Sequence, residues 1–330
     1  MKYKPNYLEI ELTDICNAAC PMCHRTVTSN TKPNNSAAFL TNKTQITFEV
    51  FKKIIDNNPR VEQYNFCGNW GDPITAKDFL KIIEYIANKD SIISIHTNGG
   101  LRSKSWWKTL GNILSVNPKN SIVFGIDGLE DTNHIYRRHT NFNKIIENAK
   151  SFIDNTKANS TWSFIKFKHN QHQIEDARSY AKEIGFKYFS TTDTARFERR
   201  GIDKFEFFED GKQLFLEPPT DKTVYNYQDR GQIDCLAIAQ KKIYLSCEAK
   251  IWPCCWIETD YRMKKDPTLN SIIEMSDITE LDATQHTFEK IMKSDIFSLI
   301  ETNWVYNKPN ACYNKCKKFI LNDIKAKDIT

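Results

Sequence analysis

The sequence predicts an α/β fold built on a parallel sheet, and three observations carry that expectation. Strand-like and helix-like runs alternate between about residues 7 and 191, giving six strands. A Cys-x3-Cys-x2-Cys loop formed by Cys16, Cys20 and Cys23 follows the first strand directly. Glycine-bearing stretches then follow the second, third and fourth strands, at Gly68 and Gly71, Gly99 and Gly100, and Gly125 and Gly128. Parallel α/β folds gather such loops on the carboxyl rim of the sheet, where their ligands bind. The alternation is compatible with an open doubly wound sheet or with a partial barrel.

The first strand is residues 7–13 (YLEIELT). Beyond the cysteine loop, Thr47 is suited to cap a helix running to residue 56, because its hydroxyl can accept from a backbone N–H of the first turn. Residues 61–67 form the second strand and 76–88 the second helix, with apolar residues at helical spacing. Strands at 92–96, 121–127 and 162–168 alternate with helices at 103–114 and 142–153. A helix over 173–184 ends at Gly185, a residue suited to the left-handed position after a helix, and 187–190 gives the sixth strand. The pattern then breaks: residues 195–232 are charged and aromatic, contain Pro218-Pro219 and have no clear period, as expected of a linker or insertion. Past Gly231 a hairpin (243–245 with 250–252) and a helix (287–300) make a second unit. The expected organisation is an α/β unit over 1–194, a linker or insertion over 195–231, and a small α+β unit over 232–330.

A chain of 330 residues with 40% hydrophobic side chains can bury a sizeable core, enough for one large and one small domain. No run of about 18 apolar residues occurs, which argues against a membrane partner. The start (MKYKP) has no apolar signal-peptide core, so a cytoplasmic location is the default expectation. The net charge of +5 is dispersed rather than gathered in a patch, and no nucleic-acid partner is indicated. Ten cysteines therefore need another explanation, and all but Cys67 are grouped. In a reducing compartment, clustered thiols read as metal ligands before they read as disulfides.

Three thiolates within eight residues can grip three irons of a cubane cluster. The missing fourth thiol is informative, because it leaves one iron open, as catalytic metal sites require. A zinc knuckle completed by His24 or by a distant ligand is the alternative.

The stretch ELTDICNAACPMCHR resembles the cluster loop of radical S-adenosylmethionine enzymes, including a bulky residue, Met22, before the last cysteine. Three further stretches resemble that family in the same order. Gly68-Asn-Trp-Gly71-Asp72-Pro73 is similar to its GGEP-type loop, and His96-Thr97-Asn98-Gly99-Gly100 to its T-N-G element. Gly125-Ile126-Asp127-Gly128 with Tyr136-Arg137 is similar to its S-I-D-G … Y-R stretch. Asp72 stands where glutamate is usual and Gly125 where serine is common.

The resemblance implies a partial (β/α)6 TIM-type barrel over residues 7–191. It implies a [4Fe-4S] cluster on Cys16, Cys20 and Cys23, with S-adenosyl-L-methionine chelating the open iron. Reductive cleavage would yield methionine and a 5′-deoxyadenosyl radical that abstracts a hydrogen atom from an unactivated carbon. Gly68, Gly71, Asp72 and Pro73 would bring backbone groups to the cofactor's amino group. Asn98 and Asp127 would meet ribose hydroxyls, and Arg137 the methionyl carboxylate. His169 ends the fifth strand, where it is either a cofactor contact or, with Asn170, part of a helix cap. Cys67, expected on the same rim, is either a hydrogen-atom donor to a substrate radical or a small buried residue.

Cys235 and Cys254 bracket the C-terminal hairpin, and Cys312 and Cys316 sit in ACYNKC. The layout resembles that family's SPASM extension, or its shortened twitch form. The absence of a C-x2-C-x5-C-x3-C run points to one auxiliary [4Fe-4S] cluster. Cys247 and Cys255 are then spare and either could replace a named ligand; a four-cysteine zinc site is the alternative. Ala249 stands where the hairpin turn usually has glycine. Electrons would come from a flavodoxin- or ferredoxin-type donor. Two substrate classes compete: a small sugar-, polyol- or nucleoside-like molecule, and a peptide or protein side chain. The chain begins at the barrel, without a separate peptide-recognition domain, which inclines the expectation toward a small molecule. A non-catalytic iron–sulfur or zinc protein is a third reading, of a different class.

Overall fold

Residue parity builds the sheet. In β1 (Tyr7–Ile10) Leu8 and Ile10 are fully buried in a core shared with the helix residues Phe51 and Phe79, while Glu9 faces the other way. The same alternation crosses the strands: Glu9, Asn65, Ser94 and Ser121 form one row of partners, and Ile10, Phe66, Ile95 and Ile122 the next. One face is thus polar and the other apolar. This computed structural model describes residues 1, 3–27, 42–209, 211–221, 227–229, 232–320 and 327–328.

After β1 come a short helix, α1 (His24–Val27), and α2 (Phe48–Asp56), which Thr47 caps by accepting from the Val50 N–H at 3.4 Å. Next are β2 (Gln63–Phe66), α3 (Phe79–Ala87), β3 (Ile92–Thr97), α4 (Lys104–Leu114) and β4 (Ser121–Gly125). Then follow α5 (Asn133–Tyr136), α6 (Phe142–Ile153), β5 (Asn159–Lys166), α7 (Ile174–Ile184) and β6 (Tyr188–Asp193). Gly185 ends α7 at φ 100°, as its position suggested. All six strands pair in parallel and their order follows the chain from β1 to β6. No reversal of the doubly wound kind occurs. The fold is a partial (β/α)6 barrel.

Residues 195–221 carry more structure than an unpatterned linker. They hold α8 (Arg196–Arg200) and an antiparallel hairpin, β7 (Phe205–Glu209) with β8 (Lys212–Leu216). Phe205, Phe207 and Leu216 are buried against Met22, Tyr136, Phe167 and Phe197 in an apolar cluster of their own. The signal was in the sequence: Asp210-Gly211 between apolar runs is a hairpin turn pair.

Further on, β9 (Tyr227–Asp229) pairs with β12 (Lys318–Ile320). After α9 (Leu236–Ala239), β10 (Lys242–Leu245) joins the barrel sheet parallel to β1, and β11 (Ile251–Trp252) turns back on it. The expected hairpin therefore extends the barrel's own sheet, whose order is β11-β10-β1 through β6, with β13 (Lys327–Asp328) on the far edge. Next come α10 (Cys255–Met263) and α11 (Pro267–Glu274). Where one helix is expected over 287–300 there are two, α12 (Phe288–Ile291) and α13 (Asp295–Tyr306), because Ser294 is extended between them (ψ 161°). α14 (Asn310–Cys312) precedes β12. The expected boundary at residue 231 lies outside the described residues. Among the described residues, no helix is long and apolar enough to cross a membrane.

Candidate active site

Cys16, Cys20 and Cys23 line a cavity of about 230 Å3 at the carboxyl ends of the barrel strands. Gly68, Gly71, Asp72, Asn98 and Arg137 line it too, so residues from four loops meet in one place. The cysteine loop is held from within by Arg25, which donates to the Cys16 carbonyl at 3.3 Å and to that of Ala18. Asn98 donates to Cys16 Sγ at 3.6 Å and to Asn17 Oδ1 at 3.0 Å. Burial pushes the Cys16 thiol up, and Asp72 adds to the rise. Burial also raises Cys20, against the pull of Arg137. Thiols in such a place stay protonated until a bound cation stabilises the thiolate and displaces the proton. Among the described residues, no three His, Cys, Asp or Glu side chains converge as single-ion ligands; cubane ligands take one iron each.

The loop after β2 passes hard against the cysteine loop. A Cβ on Gly71 would fall on the Thr13 carbonyl oxygen and 2.7 Å from that of Ile15, so only glycine fits. Glu11 fixes the same loop from below. Its buried carboxylate accepts from the N–H groups of Asn69 (2.8 Å), Trp70 (3.2 Å) and Gly71 (2.8 Å), and from the Tyr244 hydroxyl (3.0 Å). Burial pushes its carboxyl up to about 8, against the pull of those N–H donors. Sequence reasoning passed over Glu11, a carboxylate between the apolar Ile10 and Leu12. Asp72 is occupied in a similar way: it accepts from Thr97 Oγ1 (2.8 Å), Asn98 N (2.7 Å) and Ile74 N (3.2 Å), binding the glycine loop to the end of β3.

Four expected residues do not line the cavity. Asp127 is fully buried, with Oδ2 2.6 Å from Arg137 Nε and Oδ1 accepting from Ile165 N at 2.6 Å. Its carboxylate is spent on fixing Arg137 rather than turned to a ribose. Burial alone would lower the Arg137 guanidinium, but Asp127 and Cys20 outweigh it and hold the charge. A side chain at residue 125 would collide with that guanidinium, which is why glycine suits this position. Cys67 sits on the polar face under Glu9, Glu11 and Cys255, its Sγ 3.7 Å from the Ile10 carbonyl. Pro73 opens a short 3-10 turn behind the loop. His169 stacks on Phe167 (5.4 Å, 14°), while Asn170 closes the end of β5 by accepting from Phe167 N and donating to the Asp127 carbonyl.

Cys235, Cys254, Cys312 and Cys316 line a second pocket together, walled by Leu236, Trp256 and Trp304. A hydrogen bond from Cys235 holds the Cys316 thiol below its ordinary range and raises Cys235 correspondingly. The spare cysteines point elsewhere. Cys247 lies 3.9 Å from Arg262 Nη1, and Cys255 neighbours Glu9 and Lys242. Helix α10, which follows Cys254, is fastened to the first two loops: Arg262 pairs with Asp14 at 2.8 Å and lies 4.8 Å over the Trp70 ring, while Trp70 Nε1 donates to Glu258 at 2.9 Å.

A larger cleft of about 770 Å3 runs between the two thiol sites, lined by residues that include His24, Arg196, Arg200, Trp256, Lys265 and Lys315. Arg196 lines both this cleft and the first cavity, and donates to Tyr136 Oη at 2.5 Å. Burial, reinforced by Arg196, Arg200, Lys265 and Lys315, pushes His24 down to about 4. The sequence offered no signal for this cleft, because its walls come from four separate segments spread between His24 and Lys315.

A model of the Radical SAM superfamily matches residues 10–181, just over half of the chain. The chain belongs to this superfamily. Over 138 residues it is 30% identical to an S-adenosylmethionine-dependent nucleotide dehydratase of Selenomonas ruminantium (38% of this chain, 44% of the relative). Over 139 residues it is 33% identical to GTP 3′,8-cyclase of Pasteurella multocida strain Pm70 (38% of each). It thus spans less than half the length of these relatives. Its fold resembles that of native anSMEcpe with bound AdoMet and Cp18Cys peptide (TM-score 0.53, 14% identity, 90% of this chain and 83% of that one). It also resembles Streptococcus suis SuiB bound to precursor peptide SuiA (TM-score 0.53, 14% identity, 79% and 61%). Members of the superfamily hold a [4Fe-4S] cluster and S-adenosylmethionine; the three-thiol loop, with Asn98 and Arg137 beside it, is a donor set that fits both.

Proposed function

We propose that the protein abstracts a hydrogen atom from a small sugar-, polyol- or nucleoside-like molecule. The cleft of about 770 Å3 between the two thiol sites carries this reading, since its size falls in the range of small-ligand pockets. The two curated relatives, both named for nucleotide chemistry, support it. In this reading Cys16, Cys20 and Cys23 hold the first cluster, and Cys235, Cys254, Cys312 and Cys316 an auxiliary [4Fe-4S] cluster. When bound, the first cluster supplies the electron that splits S-adenosylmethionine into methionine and a 5′-deoxyadenosyl radical.

The chain's own residues orient and shield. Arg137, its charge fixed by Asp127, is available to a carboxylate. Glu11 and Asp72 keep the glycine loop in place, so its backbone can approach the cofactor. Buried Trp70 and Tyr136 wall the cavity from water. A flavodoxin- or ferredoxin-type donor and a cytoplasmic setting complete the proposal.

The test is 5′-deoxyadenosine formation by anaerobically reconstituted, reduced protein with S-adenosylmethionine. Product is expected from the wild type and lost in Cys16→Ala. Product formation that survives Cys16→Ala overturns the ligand assignment.

A further inference from the structure

We propose that the cleft between the two thiol sites binds a phosphate group of the substrate, through Arg196, Arg200, Lys265 and Lys315; this deepens, and rests on, the small-molecule reading. Four fixed cations face two carboxylates there, Glu198 and Asp260. The excess of two positive charges matches a phosphate monoester, which carries about −2 near neutrality. Burial and the neighbouring Asp266 push Asp260 up to about 6, against the pull of the Ala311 N–H and of Lys265 and Lys315. Among the described residues Arg200 meets the Phe205 ring (5.3 Å) but no carboxylate, and Lys265 Nζ has no ion pair.

Cations crowded together without matching acids are costly unless an anion joins them. Partial burial first, and Arg196 after it, hold the Arg200 guanidinium below the ordinary arginine range. Two guanidinium forks suit the oxygens of a phosphate, and two ammonium groups add charge without demanding geometry. Because Arg196 also lines the cysteine-loop cavity, an anion held here leaves the rest of the molecule beside that cavity.

The test is calorimetric titration of inorganic pyrophosphate, orthophosphate and succinate into the anaerobically reconstituted enzyme at fixed ionic strength. Pyrophosphate and orthophosphate are expected to bind saturably at one site per chain, and succinate at least about tenfold more weakly. Arg200→Gln and Lys265→Gln should each weaken phosphate binding about tenfold, whereas Lys119→Gln, an exposed lysine outside the cleft, should not. Arg200 and Lys265 are exposed, so both variants should keep the fold.

The proposal is overturned by absence of saturable phosphate binding, by unchanged affinity in either cleft variant, or by an equal loss in Lys119→Gln. Succinate binding as tightly as phosphate overturns it too, in favour of a carboxylate ligand. The same wild-type preparation is assayed for 5′-deoxyadenosine. Failure of that assay strikes the catalytic reading alone, and failure of titration strikes the phosphate alone.

Discussion

Glu11 does more for the cofactor loop than any residue in the motifs that flank it. Three N–H groups and one hydroxyl converge on one buried carboxylate. Glu11→Ala strands those donors, and each buried unsatisfied group costs about 1–3 kcal/mol. We expect a loss of at least about 3 kcal/mol in urea unfolding, together with lost S-adenosylmethionine binding by calorimetry. Glu258, at the other end of the same network, gives a pH signature. Burial lifts its carboxyl from 4.5 to about 7, despite the Trp70 hydrogen bond. The folded protein therefore keeps this proton where the unfolded chain has lost it, and the group's contribution to stability falls as pH rises across that window. Unfolding midpoints measured from pH 5 to 8 should show wild type losing ground to Glu258→Gln as pH increases; parallel curves would count against the shift.

Among elements, the β7–β8 hairpin has the clearest task. Phe207 is 1% exposed and packs in the cluster that includes Met22 and Cys20 of the cysteine loop. Phe207→Ala should cost roughly 3–5 kcal/mol and lower the iron retained after reconstitution, read by thermal midpoint and iron assay. This hairpin also marks the limit of what the sequence could tell. The strand–helix alternation, the Thr47 cap and the Gly185 terminus were legible because each depends on neighbours in sequence. The β7–β8 turn pair was legible in principle, but its strands are too aromatic and charged to display a clean period. The site was half legible. Residue type and spacing marked the cysteines, and the family resemblance marked Asp72, Asn98 and Arg137. What Asp127 does with its carboxylate, and where Cys67 turns, depends on partners from other strands. The pairing of β10 with β1 was illegible, since edge-to-edge choice between distant strands leaves no local trace.

For the whole molecule, the two thiol sites should load separately although they share one sheet. Reconstituted wild type should hold about eight irons and Cys312→Ala about four, with the remaining cluster retaining its S-adenosylmethionine-perturbed spectrum. Unchanged iron in Cys312→Ala would remove this residue from the ligand set. The register of Tyr7 with Lys242 also sets a schedule for biogenesis. β1 is made well before β10, and one of its flanks stays bare until β10 has followed. At ~5–20 residues per second, that wait is on the order of tens of seconds. During it the nascent chain presents an unpaired strand edge, the kind of surface that recruits stray strands, and three nearby thiols without their final walls. The sheet's β1 edge is thus finished only by a strand made much later, and a product cut before β10 would expose that edge permanently.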